Sequence, residues 1–243
     1  MRHPRFFTTQ ALAPNHCVSL EEDPARHIGR TLRMQPGDIL VLFNGDGLEY
    51  TGEIVRADRK SVDVRCHASA EPRRESPLAI ELAIGMSRGE RMDWVVQKAT
   101  ELGVTSISPL QTARSGLKLR GERLQKKRRH WQRIAASACE QCGRNRLPAL
   151  NAPQPLENWV ASAALPLRLV LDHRAVDTSP WPVAPTAIAL LVGPEGGLES
   201  GELDAARAQG FRVVALGPRI MRTETAPLAA ISALQARWGD FSL

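Results

Sequence analysis

The most constraining feature of the sequence is a C-terminal stretch in which two buried strands are each followed by a glycine-containing loop and a helix. The apolar run at 187–192 has the length of a strand, and three glycines fall within 193–197. A second strand is predicted at 212–216, and a glycine and a proline at 217–218 end it. Ligands bind at the carboxyl ends of strands in open α/β sheets, so the two loops together predict a ligand site rather than two ordinary turns.

Strands and helices alternate from residue 78 onward, which predicts a mostly parallel sheet covered by helices on both faces. Apolar residues at helical spacing predict a helix over 87–103, and the proline-containing stretch 145–166 is expected to be loop-rich. The other predicted strands of this α/β region lie at 78–86, 106–110 and 167–171.

The first 70 residues have a different pattern, in which short strands are separated by tight turns, and this suggests a small barrel. An Asn-Gly-Asp-Gly sequence at 44–47 is a strong hairpin signal. The polar stretch 70–77 contains two prolines and is the candidate linker. We therefore expect a β-barrel domain over residues 1–72 and a second domain over residues 73–243.

Positive charge is unevenly distributed along the chain, whose formal net charge is +6. The stretch 118–133 carries eight basic residues and one acidic residue. A solvated helix face would explain this run, but its one-sided charge favours contact with RNA phosphates. Clustered arginines near the N-terminus suggest phosphate contact in the same way. The residues predicted on these grounds to bind RNA are Arg5, Arg30, Arg33, Lys126, Lys127 and Arg129.

Several classes of site have no motif in the sequence. There is no P-loop and no dinucleotide-binding glycine motif, and the four cysteines lack the spacing of a zinc site, so we expect reduced thiols and no bound metal. The N-terminus lacks the apolar segment of a signal peptide, and no apolar run approaches the length of a membrane span. These observations predict a soluble, cytoplasmic protein without a membrane partner.

Motifs along nearly the whole chain resemble one known family. GPEGG at 193–197 and LGPRIMRTETA at 216–226 resemble the C-terminal signature of the SPOUT methyltransferases. ERMDWVVQKATELGV at 90–104, EQCGRNRLP at 140–148 and RHPRFF at 2–7 extend the match. On these motifs the chain is identified as a member of the RsmE family, whose enzymes methylate N3 of a uridine in 16S ribosomal RNA.

The resemblance implies a trefoil-knotted SPOUT domain preceded by a PUA-like barrel that helps to hold RNA. It also implies a homodimer, S-adenosylmethionine as cofactor, and 16S ribosomal RNA or the small ribosomal subunit as partner. Arg144 is implied to lie near the RNA substrate. The residues implied to form the cofactor site are Leu171, Gly193, Glu195, Gly197, Leu216, Gly217, Ile220, Met221, Arg222, Thr225 and Ala226. We expect Glu195 to brace its loop through backbone N–H groups rather than to touch the methyl group.

The final helix is expected to be capped by Thr223 or Thr225. One of its faces is mostly apolar and is the expected contact between protomers, unless that face packs only within its own subunit. The residues of this face are Leu228, Ile231, Leu234, Gln235 and Trp238.

Arg222 is the candidate catalytic residue. Neutral uridine N3 is a poor nucleophile because its lone pair is delocalised into two carbonyls, and loss of its proton places negative charge on O2 and O4. A guanidinium is always charged and presents a fixed fork of donors, so it can stabilise that charge in the transition state. The alternative is that Arg222 only ties its loop to an acidic neighbour such as Glu224. Two alternative functions remain. The chain could methylate a ribose 2′-hydroxyl, or it could bind RNA without catalysing a reaction.

Overall fold

The structure is a computed structural model, and it describes residues 3–58, 61–117, 119, 121–175, 181 and 184–242. Its compact units are Met1–Glu75 with Ala136–Leu147, and Ser76–Ala135 with Pro148–Leu243. The first unit thus takes in a stretch from the middle of the chain, which a single boundary after residue 72 does not describe. The division into domains at that boundary stays a prediction.

The first unit contains a five-stranded mixed sheet in its described part. Its strands are β1 (Arg5–Phe7), β2 (Cys17–Ser19), β3 (Ile39–Phe43), β4 (Glu49–Ala57) and β5 (Val62–Ala70). Helix α1 (Glu22–Arg26) continues into a π-helical turn, His27–Leu32, which the sequence did not predict. The strand order is β1-β3-β4-β5-β2, and β3 and β4 pair antiparallel across the predicted hairpin turn. Alternating apolar side chains of these strands form a core of their own that includes Leu40, Leu42 and Ile54.

The second unit is built on a parallel sheet whose described strands number seven. They are β6 (Ala79–Gly85), β7 (Ser106–Gln111), β8 (Ala149–Leu150), β9 (Gln154–Pro155), β10 (Leu167–Leu171), β11 (Ala187–Val192) and β12 (Arg212–Val214). The order is β12-β10-β11-β6-β7-β8, with β9 also paired to β7. The helices beyond α1 are α2 (Arg91–Glu101), α3 (Gly121–Cys142), α4 (Leu156–Ser162), α5 (Ser200–Ala208) and α6 (Ala226–Trp238).

The second unit's sheet is covered on both faces, as the alternation of strands and helices predicts. Successive residues of β11 enter different cores: Leu190 packs with residues of α2 and α6, whereas Leu191 packs with residues of α4 and α5. Strand β11 lies between β10 and β6 in the middle of the sheet, which explains why its sequence is a continuous apolar run. The predicted fold class is therefore confirmed, while the knot stays a prediction.

Some predicted elements differ from the structure. Helix α4 lies in the stretch 145–166 that was expected to be loop-rich, and its buried Trp159 and Leu156 anchor it to the sheet. The helix predicted from residue 87 begins only at Arg91. Thr225 occupies the N-cap of α6, but its side chain makes no capping hydrogen bond. The Thr223 hydroxyl instead donates to the carbonyl of Gly193 at 3.0 Å, so neither threonine caps the helix.

The face of α6 that was expected to join two protomers is largely buried within the chain. Ile231, Leu234 and Gln235 are buried, and Ile231 and Leu234 belong to the core beneath the sheet. The Gln235 amide donates to the Leu102 carbonyl at 3.0 Å and accepts from the Ser76 hydroxyl at 2.7 Å. These three residues therefore pack in their own subunit, as the alternative held, whereas Leu228 and Trp238 of the same face are only partly buried, and the dimer contact stays a prediction.

Candidate active site

A cleft of about 280 Å³ opens at the carboxyl ends of three adjacent parallel strands. The register of the sheet aligns Leu171, the last residue of β10, with Val192 of β11 and Val214 of β12. The three segments that continue from these residues line the cleft. Its lining comprises Arg114, Leu171, Asp172, His173, Arg174, Val192, Gly193, Pro194, Glu195, Gly196, Gly197, Leu198, Val214, Ala215, Leu216, Arg219, Ile220, Met221, Thr223 and Ala226.

The first glycine loop (193–197) is tightly folded. A Cβ on Gly193 would lie 3.0 Å from the Leu198 nitrogen and 3.1 Å from the Gly197 carbonyl carbon, so the turn closes on a residue without a side chain. Gly197 has a φ of +69°, the left-handed region that favours glycine, and its N–H donates to the Pro194 carbonyl at 2.8 Å. The two glycines thus serve different needs: one permits a close approach and the other a turn.

The second glycine loop (215–225) leaves backbone polar groups available to a ligand. Within the described part of the chain, no intramolecular hydrogen bond involves the backbone of residues 215–221. The loop is joined to the first one by the bond between the Thr223 hydroxyl and the Gly193 carbonyl. Backbone donors and acceptors between apolar side chains such as Leu216 and Met221 suit a ligand with a heteroaromatic ring. The sequence of this loop contains no lysine that could bind a phosphate as the P-loop lysine does.

Glu195 lines the cleft and is bound to residues at the start of α2. Its carboxylate accepts from the Arg91 guanidinium at 2.7 Å and from the Arg88 backbone N–H at 3.2 Å. Burial would raise the pKa of the Glu195 carboxyl, but hydrogen bonds from backbone N–H groups and from Arg91 hold it below its usual value. Glu195 is therefore an anion bound by Arg91 and by backbone N–H groups, and its expected role in bracing the loop stays a prediction.

Comparison with known proteins identifies the family. Models of an RNA methyltransferase domain and an RNA methyltransferase PUA domain match residues 74–235 and 20–65. Ribosomal RNA small subunit methyltransferase E of Buchnera aphidicola (from Schizaphis graminum) is 34% identical over 99% of this chain and 99% of its own length. The chain belongs to the ribosomal RNA small subunit methyltransferase E family. The family that the sequence motifs indicate is thereby confirmed.

Two solved structures resemble this methyltransferase E family member over nearly all of their length. One is a methyltransferase from Legionella pneumophila in complex with SAM, with 42% identity, a TM-score of 0.95, and coverage of 99% of this chain and 100% of that one. The other is ribosomal RNA small subunit methyltransferase E from Neisseria gonorrhoeae, bound to S-adenosyl methionine. It has 37% identity, a TM-score of 0.93, and coverage of 99% of this chain and 100% of that one.

Most residues that the resemblance implied for the cofactor site line the cleft. These are Leu171, Gly193, Glu195, Gly197, Leu216, Ile220, Met221 and Ala226. Gly217, Arg222 and Thr225 are not among its lining residues. Asp172 and Arg174 also line the cleft directly after β10, and they were not predicted from the sequence. Following all three strands past their carboxyl ends, instead of only the two that carry glycine loops, would have found them.

Asp172 and Arg174 form an ion pair at the edge of the cleft. The Arg174 guanidinium donates to both carboxylate oxygens, at 2.9 and 2.7 Å. Hydrogen bonding to Arg174 holds the pKa of Asp172 below its usual value, and burial opposes that effect. The Asp172 side chain is 8% exposed whereas that of Arg174 is 59% exposed, so a buried anion fixes a cation at the rim.

Arg222, the candidate catalytic residue, lies on the second loop with its side chain 84% exposed. Its nearest acidic group is Glu224, whose Oε1 is 3.9 Å from Arg222 Nη1. That distance is too long for a hydrogen bond, so Arg222 is not tied down by Glu224. The side chain has the freedom to turn toward a substrate, and its catalytic role stays a prediction.

The basic stretch 118–133 divides into residues with different surroundings. Lys118 and Arg120 lie outside the described residues. Lys127 donates to Asp93 at 2.9 Å, so its charge is already neutralised. Lys126 and Arg129 are exposed, and within the described residues neither has an ion-pair partner. Arg30 and Arg33 of the first unit are exposed too, so these four residues remain the best candidates for phosphate contact.

Arg5 and Arg144 do not have the exposure that phosphate contact needs. Their side chains are each 5% exposed and both lie in ion pairs of the first unit, Arg5 with Glu49 and Arg144 with Glu75 at 2.7 Å. Arg5 also donates to Asn145. Most of their donors bond to protein acceptors, so little guanidinium surface remains for a phosphate, and direct contact of these two arginines with RNA stays a prediction.

Cys139, near the end of α3, does not have the character of a nucleophile. Burial raises the pKa of Cys139 to about 12, so its thiol stays protonated at neutral pH. Cys142 is a half-buried free thiol.

Among the described residues no helix is long and apolar enough to cross a bilayer.

Proposed function

We propose that this chain transfers the methyl group of S-adenosylmethionine to N3 of a uridine in 16S ribosomal RNA. The observation that carries the proposal is the cleft at the ends of β10, β11 and β12 in a chain of this family. Solved relatives with 42% and 37% identity hold S-adenosylmethionine. S-adenosylmethionine supplies an electrophilic methyl group when it is bound.

The residues of the cleft fit such a cofactor. Leu171, Leu216 and Met221 give apolar walls for an adenine ring, and the free backbone groups of residues 215–221 can hydrogen bond to its edge. Gly193 lets the first loop close on itself beside the cleft, because a side chain there would meet the Leu198 nitrogen and the Gly197 carbonyl carbon. Thr225 and Gly217 would support the loop rather than touch the cofactor, because they lie outside the lining.

Arg222 would supply the catalytic charge. It is exposed on the loop whose neighbours Met221 and Thr223 line the cleft, so its guanidinium can reach a base that lies at the mouth. Held against O2 or O4 of the uracil, it stabilises the negative charge that develops there as N3 loses its proton. C5 methylation normally needs a cysteine nucleophile. Cys139 does not suit that role, because its pKa of about 12 keeps the thiol protonated at neutral pH.

The RNA would be held by exposed cations outside the cleft. We assign this role to Lys126 and Arg129 of α3 and to Arg30 and Arg33 of the first unit. The N-terminal domain, expected over residues 1–72, would help to hold the RNA, in line with the PUA model that matches residues 20–65. We further propose that the protein acts in the cytoplasm as a homodimer, which rests on the family resemblance.

The test is transfer of labelled methyl groups to small-subunit ribosomal RNA, followed by nucleoside analysis of the product. Arg222→Ala should lower turnover by roughly two orders of magnitude, the scale of losing one transition-state donor, with a smaller change in cofactor affinity. Arg207→Ala is the matched control, because Arg207 is an exposed arginine of α5 paired with Asp204 at 2.7 Å. A product methylated on C5 or on the ribose, or normal turnover of Arg222→Ala, would refute the proposal.

A further inference from the structure

One arginine at the start of α2 reaches both loops of the cleft. Arg91 Nη1 lies 2.7 Å from Glu195 Oε1 of the first loop. Its Nε lies 3.7 Å from Glu224 Oε2 of the second loop. The guanidinium of Arg91 is therefore a link between two loops that come from separate parts of the chain. Since its donors form a fixed fork, one arginine can serve two carboxylates at once.

Glu224 lies between two arginines. Its Oε2 faces Arg91 at 3.7 Å, and its Oε1 faces Arg222 at 3.9 Å. Both distances exceed hydrogen-bond length, so the carboxylate is shared between the two cations in ion pairs and hydrogen bonds to neither. The Glu224 side chain is 21% exposed, against 84% for that of Arg222. The partly buried carboxylate thus lies within ion-pair distance of an exposed cation that the proposed reaction needs.

Removal of Arg91 would change this balance. Glu224 would lose one of its two cations, and the Arg222 guanidinium could close the remaining gap into a two-pronged pair with the carboxylate. An arginine held in that way offers fewer donors to a substrate and carries a neutralised charge.

We propose that Arg91 is a positioning residue that keeps Glu224 from capturing Arg222 and so leaves the Arg222 guanidinium available to the uracil oxygens. The inference rests on the proposed function, because Arg222 matters only if charge develops on the base. Arg91 itself acts through Glu224 and does not line the cleft.

The decisive experiment is rescue by a second substitution. Arg91→Gln should lower kcat by about five-fold, the scale of one surface ion pair, with a smaller change in the affinity for S-adenosylmethionine. Arg91→Gln combined with Glu224→Gln should regain most of the lost turnover, since the competing carboxylate is gone. Arg91→Gln combined with Glu195→Gln should not. A merely structural link between the loops predicts the opposite, because each further substitution would weaken it.

Lys98→Gln is the matched control for a lost ion pair on the same helix. Lys98 pairs with Glu101 at 2.8 Å and belongs to no part of the proposed site. Its substitution should leave kcat unchanged. Wild-type kcat in Arg91→Gln, or a loss that Glu224→Gln does not rescue, would overturn the inference.

A second readout does not depend on catalysis. Phenylglyoxal modifies accessible guanidinium groups, and peptide mass spectrometry can follow its reaction with Arg222. The rate at Arg222 should fall several-fold in Arg91→Gln and recover in the double variant with Glu224→Gln. An unchanged rate in Arg91→Gln overturns the inference even if the wild-type protein methylates RNA. If the wild-type protein transfers no methyl group, the proposed function fails while this measurement still decides whether Glu224 captures Arg222.

Discussion

Gly85 should control the shape of the cofactor cleft from beneath it. It is the buried last residue of β6, and a Cβ at this position would lie 2.5 Å from Pro194 Cδ and 2.7 Å from the Pro194 nitrogen. Carbon atoms in contact normally lie about 3.5–4.0 Å apart, so Gly85→Ala requires a movement of roughly 1 Å. Strand β6 is held by ladders to both β11 and β7, whereas Pro194 belongs to a loop. We therefore expect the loop to move.

The size of the effect follows from the cost of overpacking. One inserted methyl group in a tightly packed site typically costs about 1–3 kcal/mol. If the displaced first loop no longer meets the ligand, that cost appears as lost affinity, and about 1.4 kcal/mol corresponds to a tenfold change in Kd. Gly85→Ala should therefore weaken binding of S-adenosylmethionine by roughly ten- to a hundredfold.

Titration calorimetry measures this affinity, and circular dichroism checks that the variant is folded. Gly201→Ala is the matched control, because a Cβ at that helical position has no neighbour within 4 Å. It should keep wild-type affinity, and its position in the first turn of α5 should tolerate the added methyl group without loss of stability. A folded Gly85→Ala variant with wild-type affinity would refute the reasoning. A substitution at Gly197 is a poorer test, since its φ of +69° makes any side chain strain the backbone with or without ligand.

Further outcomes are expected for stability, RNA binding and assembly. Burial would raise the pKa of Asp93, but hydrogen bonds from Lys127, His130 and Trp131 hold it below its usual value. The stability that this carboxylate contributes should be complete above its unfolded pKa of about 4 and should be lost as pH falls through the lower folded pKa. Unfolding curves measured at decreasing pH should therefore show a shrinking stability difference between wild type and Asp93→Asn. Charge reversal of Lys126 and Arg129 to Glu should weaken RNA binding and flatten the slope of log affinity against log salt; an unchanged slope would assign these residues to a solvated helix face. Light scattering at micromolar concentration should report about twice the chain mass of 26.7 kDa, and a mass near 26.7 kDa would exclude the dimer.

The sequence predicted best those elements whose surroundings are uniform. Strand β11 has sheet neighbours on both sides and helices on both faces, so every position along it selects an apolar residue and its bounds could be read directly. Helix α4 was missed because its seven residues are too few for a helical period to stand out. Its stability comes from Leu156 and Trp159 packed in the core, and tertiary packing of that kind leaves little local signal.

The functional residues show the same division. The glycine loops were recognised because turns and close approaches restrict residue type locally, whereas the burial of Arg5 and Arg144 depends on partners far away in the chain. The Arg5 guanidinium, for example, donates to the carbonyl of Gly143 at 3.2 Å. A count of charges cannot distinguish such a residue from an exposed arginine.

Helix α3 shows how far a charge pattern can be refined. Lys127 and Trp131 are one helical turn apart and both donate to Asp93 at 2.9 Å, so the face that carries the buried tryptophan also carries the neutralised lysine. Lys126 and Arg129 are three residues apart on another face and remain exposed. Spacing relative to Trp131 is therefore enough to separate Lys127 from the other two cations. Spacing cannot supply Asp93, because the acceptor that neutralises Lys127 lies on a different helix.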